Sequence, residues 1–93
     1  MEIIHEKNDK KGVFKAIENV NVAGEMTYTF AGNDKFIIDH TEVSPNFEGK
    51  GVGKQLLMQA VKYARENHLK ILPLCPFAKA MFDRIKEIQD VLF

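Results

Sequence analysis

Gly49, Lys50, Gly51, Val52, Gly53 and Lys54 form a run in which every second residue lacks a side chain, directly ahead of an amphipathic stretch. Backbone without Cβ atoms lets a ligand approach the amide N–H groups closely. A helix that starts behind such a run points its positive dipole end and its unpaired N–H donors into the same space. These are the ingredients of a phosphate or pyrophosphate site. Lys50 and Lys54 add mobile positive charge, whereas Lys70 reads equally well as a solvated surface lysine. Three further side chains bear on chemistry. His40 and Glu42 lie two apart in a strand-like run, so they share a face with Cα atoms about 6.6 Å apart. An imidazole titrates near neutrality unaided. Burial beside apolar neighbours would bring the Glu42 carboxyl up toward the range of a general base. The alternative for both is a structural hydrogen-bond network. Cys75 precedes a second helix, where a thiol gains thiolate character, although an isolated cysteine is often a small core residue. His5, His68 and Cys75 have no metal-ligand spacing, and no metal site is expected.

Two familiar phosphate loops fail on spacing. A Walker A loop needs G-x-x-x-x-G-K-[ST]. Gly53-Lys54 would supply its second glycine and lysine, but Glu48 stands where the first glycine belongs and Gln55 replaces the hydroxyl. A dinucleotide fingerprint needs G-x-G-x-x-G/A after the first strand of a βαβ unit. Counted from Gly49 or Gly51, its third glycine falls on Lys54 or Leu56, and too little chain follows for such a sheet.

The run from Val43 through Ser44-Pro45-Asn46-Phe47-Glu48 to Leu57 does resemble another loop, the acyl-CoA loop of the GNAT N-acetyltransferase superfamily. That loop reads Q/R-x-x-G-x-G/A, and Gly51 and Gly53 match its glycines. Glu48 stands where Gln or Arg is usual, which bears on a side-chain contact but leaves the backbone cradle intact. An ordered series sharpens the likeness: His40-Thr41-Glu42-Val43, then the glycine loop, Ala64-Arg65, and Pro73-Leu74-Cys75-Pro76-Phe77. It is similar to that of a small GNAT-like subfamily of about this length. The resemblance implies acetyl-CoA as the cofactor, held by Val43, Glu48, Gly49, Lys50, Gly51, Val52, Gly53 and Lys54. It also implies an amine acceptor, a splay between the fourth and fifth strands for pantetheine, and an oxyanion donor in a backbone N–H near Val43. Acetyl transfer requires a base for the amine and a route for the proton of the departing thiolate. Glu42 and His40 are the candidates for the first. Cys75 would lie beside the thioester as acyl acceptor or proton donor, because Phe77 and Phe82 stand where the superfamily often has an acidic tyrosine.

These groups need a scaffold that the rest of the chain spells out. Ile3-Ile4, Val13 to Glu18, Glu25 to Phe30 and Phe36 to Val43 read as four strands. Their turns are Asn8 to Gly12, Asn19 to Asn21 and Ala31 to Asp34. Met26, Tyr28 and Phe30 alternate with Glu25, Thr27 and Thr29, as on a half-buried strand. The period then changes. Val52, Leu56, Leu57, Ala60, Val61 and Ala64 recur at helical spacing, with Asn67 as an end signal and Tyr63 on the packing border. Leu69 to Leu74 is a short strand whose Pro73 marks an edge or irregular end. Pro76 suits the first turn of a helix that carries Phe77, Ala78, Met81, Phe82 and Ile85. The expected fold is α+β, a truncated GNAT fold with antiparallel strands followed by strand-helix-strand-helix and a mixed sheet. Only Asn8 to Gly12 stands where full-length GNAT enzymes place two helices that wall the acceptor.

At 93 residues the chain is expected to be a single domain, residues 1–93. Thirteen basic and 13 acidic residues leave no basic stripe for nucleic acid. One cysteine excludes an internal disulfide and suits a reducing cytoplasm. No apolar run is long enough for a membrane span, and the polar Met1 to Glu6 does not read as a signal peptide. The expected activity is N-acetyl transfer by direct attack of an unidentified amine on acetyl-CoA. A non-catalytic acyl-CoA-binding module and transfer through Cys75 are the competing readings, and the oligomeric state is left open.

Overall fold

The computed structural model describes residues 1–93. Four antiparallel strands come first, namely β1 (Glu2–Lys7), β2 (Lys11–Glu18), β3 (Asn21–Ala31) and β4 (Lys35–Val43). A short 3₁₀ turn at Pro45–Phe47 leads to α1 (Val52–Glu66), then β5 (Lys70–Pro73), α2 (Pro76–Arg84) and a closing 3₁₀ segment at Lys86–Val91. The sheet order is β1-β2-β3-β4-β5, with β5 parallel to β4. A parallel pair needs a crossover, and α1 provides it. The α+β mixed sheet read from the sequence is therefore the observed one. The strands run longer than expected: β2 starts at Lys11 and β3 at Asn21, inside stretches read as turns. The Asn8 side chain closes the β1–β2 turn by accepting from the Lys10 and Lys11 amides at 2.8 and 2.9 Å.

The core lies between the sheet and the helices. Val52, Leu56, Leu57, Ala60, Val61 and Ala64 of α1 are all buried, as their spacing predicts. They meet Phe14, Ala16, Met26, Tyr28, Phe36 and Ile38 of the sheet, while Ala78, Met81 and Phe82 of α2 join the same cluster. Ile85 lies past the end of α2 and is only partly buried.

One irregularity in β4 matters for the site. Tyr28 pairs with Ile38 but Thr27 pairs with His40, so Asp39 is an extra residue that bulges from the ladder. An inserted residue reverses which face later side chains occupy. Before the bulge Phe36 and Ile38 point into the core. After it, Thr41 stands opposite buried Met26 and Val43 opposite buried Gly24, so the inward positions become Thr41 and Val43. His40 and Glu42 are sent to the uncovered face, and both are exposed.

Arg65, part of the ordered series, serves the frame. Its guanidinium donates from Nε and Nη2 to the Asp90 carboxylate at 3.0 and 2.8 Å, and from Nη2 to the Glu87 carbonyl at 2.7 Å. These bonds hold the Asp90 carboxyl below its ordinary range and tie the C-terminal 3₁₀ segment to α1. Phe93 N–H then donates to the Ile71 carbonyl at 2.9 Å along the outer side of β5.

His5 ties the edge strand β1 to the core. Its ring stacks on Phe14 with centroids 4.1 Å apart and meets the edge of Tyr63 at 4.6 Å. It shares a hydrogen bond of 2.5 Å with the Tyr28 hydroxyl. Burial, and then the nearby Lys7 ammonium, push its imidazole below the ordinary value, and the Tyr28 and Tyr63 rings pack beside it. An unfolded chain therefore takes up this proton first as pH falls through about 6.5. Stability should be full above that value and decline as pH falls through it toward the lower folded value. Urea midpoints at pH 7.5 and 5.5 test this: the parent should lose stability at pH 5.5 and His5→Gln should lose less. Equal pH dependence in both proteins would contradict it.

Candidate active site: the loop before α1 and the gap between β4 and β5

The loop is built by two left-handed glycines. Gly49 has φ of 78° and Gly51, the N-cap of α1, has φ of 76°. L-residues pay for that conformation in strain, and at both positions a Cβ would meet nothing of the protein within 4 Å. These glycines are there for backbone shape and for the open space before them. None of the backbone N–H groups from Gly49 through Lys54 has an acceptor within the protein; the first helical bond is from the Gln55 amide to the Gly51 carbonyl at 3.1 Å. No side chain caps α1, and no acidic residue sits in its first turn. The helix end keeps its donors and its positive dipole unopposed.

Those amides line a cleft of about 370 Å³ bounded by Val43, Phe47, Glu48, Val52, Lys54 and Phe77, with the glycines as its floor. Lys50 lies beside the cleft, its ammonium 5.4 Å from the centre of the Phe47 ring. The eight residues expected to hold a cofactor are thus brought together. Glu48 is exposed at the rim, where its carboxylate opposes an anion, and its N–H donates to the Pro45 carbonyl at 3.4 Å. Gly53 differs from its neighbours. It is buried in the first turn of α1, and an added Cβ would come within 2.6 Å of the Phe77 ring. Its small size is a packing requirement between the starts of α1 and α2. Phe47 and Phe77 are the aromatic walls; the sequence reading placed Phe47 in the loop and Phe77 on the apolar stripe, where the superfamily often has a tyrosine, and gave neither this role.

Val43 at the end of β4 and Phe77 of α2 both line the cleft, and the sheet has a gap beside β4. Pairing of β4 with β5 ends at Ile38 and Pro73. The Ile38 carbonyl accepts from the Leu74 and Cys75 amides at 3.1 and 3.2 Å, and no backbone hydrogen bond joins Asp39–Val43 to β5 or α2. Cys75 stands at this gap as the N-cap of α2, 4% exposed. Its Sγ accepts from the Ala78 amide at 3.3 Å and lies 3.2 Å from the Thr41 hydroxyl. His40 and Glu42 share a face, as their spacing dictates. However, it is the face away from Cys75, and the burial expected around Glu42 is absent. Thr41 was overlooked because a period-2 reading cannot detect the bulge that turns it inward.

A model of the GCN5-related N-acetyltransferase family matches residues 13–91, which include all of these features. The chain belongs to the GCN5-related N-acetyltransferase family. The NMR structure of a GCN5-like protein from Staphylococcus aureus is 42% identical, with a TM-score of 0.72, and the match covers 97% of this chain and 87% of that one. The fold also matches a ribosomal-protein-alanine N-acetyltransferase from Brucella melitensis at 18% identity and TM-score 0.70, covering 84% of this chain and 62% of that one. An IAA acetyltransferase from Bacillus cereus matches at 20% identity and TM-score 0.66, covering 81% of this chain and 53% of that one. The match therefore takes in less than two thirds of the length of either of those two enzymes. No curated protein is similar enough to match. No helix is long and apolar enough to cross a membrane.

Proposed function

We propose that this protein binds acetyl-CoA and transfers its acetyl group to a primary amine. The observation that carries the reading is the unbroken run of unpaired amides from Gly49 to Lys54, set over a cleft that Val43 of β4 and Phe77 of α2 also line. The pyrophosphate would sit on those amides and the α1 dipole, with Lys50 and Lys54 adding charge. The pantetheine arm would run along the unpaired edge of β4 from Val43 toward Cys75. In direct transfer the amine nitrogen bonds the thioester carbonyl carbon and the C–S bond breaks. The amine proton passes to a base and the CoA thiolate departs. Of His40 and Glu42, the former is the better-suited base. Both side chains are exposed, and imidazole is the side-chain type that most often serves as a general base. The hairpin between β1 and β2 provides no acceptor wall, so the amine's identity depends on a surface outside this loop.

A second reading, transfer through Cys75, is favoured by one observation: the thiol lies in the gap itself, hydrogen-bonded on two sides. A two-dimensional NMR titration tests the binding step common to both. Amides from Val43 through Leu56 should shift with acetyl-CoA and CoA, and far less with ATP or NAD. Equal responses to ATP and acetyl-CoA would leave generic anion binding and remove the reading.

A further inference from the structure

Across the β4–β5 gap only one polar side-chain contact joins the two sides, that of Thr41 Oγ1 with Cys75 Sγ at 3.2 Å. The bulge at Asp39 makes this contact possible, because it turns Thr41 inward and His40 and Glu42 outward. The sulfur also receives the Ala78 amide at 3.3 Å, at the first turn of α2. A neutral thiol can donate to the threonine oxygen while accepting from the amide. A thiolate accepts only, and the threonine hydroxyl can rotate to donate to it. The two donors then converge on sulfur from β4 and from α2.

We infer that Thr41 is the positioning residue of the Cys75 thiol, aiming it across the gap and stabilising its thiolate by a hydroxyl hydrogen bond. The role rests on the gap being the place of the acyl thioester. Thr41 acts through the sulfur and not on the substrate. At 4% exposure water provides the sulfur with few hydrogen bonds. The hydroxyl is therefore the adjustable donor, while the Ala78 amide is fixed by the helix.

The Cys75 ¹³Cβ resonance of the labelled protein, followed against pH without any acyl donor, tests the inference. A hydrogen bond to a charged group, once lost, should raise the titration midpoint by about one pH unit or more in Thr41→Val. Thr41→Ser should restore the parent midpoint. A midpoint in Thr41→Val equal to or below the parent's would overturn the inference, as would a serine variant that behaves like valine. Should the valine variant not fold, the parent alone decides. Above the midpoint its Thr41 hydroxyl proton should exchange slowly and show a nuclear Overhauser effect to the Cys75 β-protons, and fast exchange there would count against the role. A parallel arm with acetyl-CoA keeps the two ideas apart. Loss of CoA-induced shifts removes the acyl-site reading, while the midpoint change measures Thr41 independently.

Discussion

His40→Ala should slow acetylation of a primary amine by about 10²-fold or more while leaving acetyl-CoA affinity nearly unchanged, since general-base catalysis contributes roughly 10²–10⁴-fold in rate. The side chain is exposed beyond the bulge in β4 and makes no side-chain hydrogen bond, so its removal should cost little stability. Glu42→Gln should have a smaller effect, because the carboxylate lies in open solvent across from Glu25. Two assays are needed. Single-turnover transfer to a panel of amines gives the rate, and calorimetry with acetyl-CoA gives the affinity. A full rate in His40→Ala alongside lost transfer in Cys75→Ser would shift the mechanism to the covalent route. In that route, radiolabelled acetyl-CoA should leave a thioester on the parent and none on the serine variant.

Gly51→Val should weaken acetyl-CoA binding by at least tenfold. The left-handed backbone at φ of 76° is strained by any Cβ, at about 1–2 kcal/mol. A β-branched side chain is worse there and projects into the open space that the amides face. Gly53→Ala should behave differently. Its Cβ lies within 2.6 Å of the Phe77 ring, and Phe77 is partly exposed, so the ring should swing aside. The cost is then shared between stability and the shape of the cleft wall, rather than falling on binding alone. Calorimetric affinities and thermal midpoints for both variants separate the effects. Normal affinity in Gly51→Val would remove the loop from the binding site.

The loop was legible because its chemistry is local. Glycine spacing, a following helical stripe and two lysines are properties of adjacent residues, and the unpaired amides are a consequence of starting a helix there. The order of elements along the chain was legible for a similar reason: turn residues and a change of period mark where each element ends. The thiol at the start of α2 was visible too, since Pro76 fixes where that helix begins.

What the chain could not reveal by pattern was the face on which its polar residues would stand. His40 and Glu42 must share a face, because strand side chains alternate. Strict alternation from Phe36 and Ile38 would have carried both into the core, beside Cys75. The bulge at Asp39 reversed that phase, and a bulge arises from how β4 is matched against β3, not from any residue in β4 alone. The same reversal brought Thr41 to within 3.2 Å of a sulfur 34 residues further along the chain. The role of Gly53 was likewise set from outside, by the Phe77 ring that α2 lays against it. Sequence spacing determined which side chains lie together; the register of β4 against β3 and the packing of α2 on α1 decided what they face.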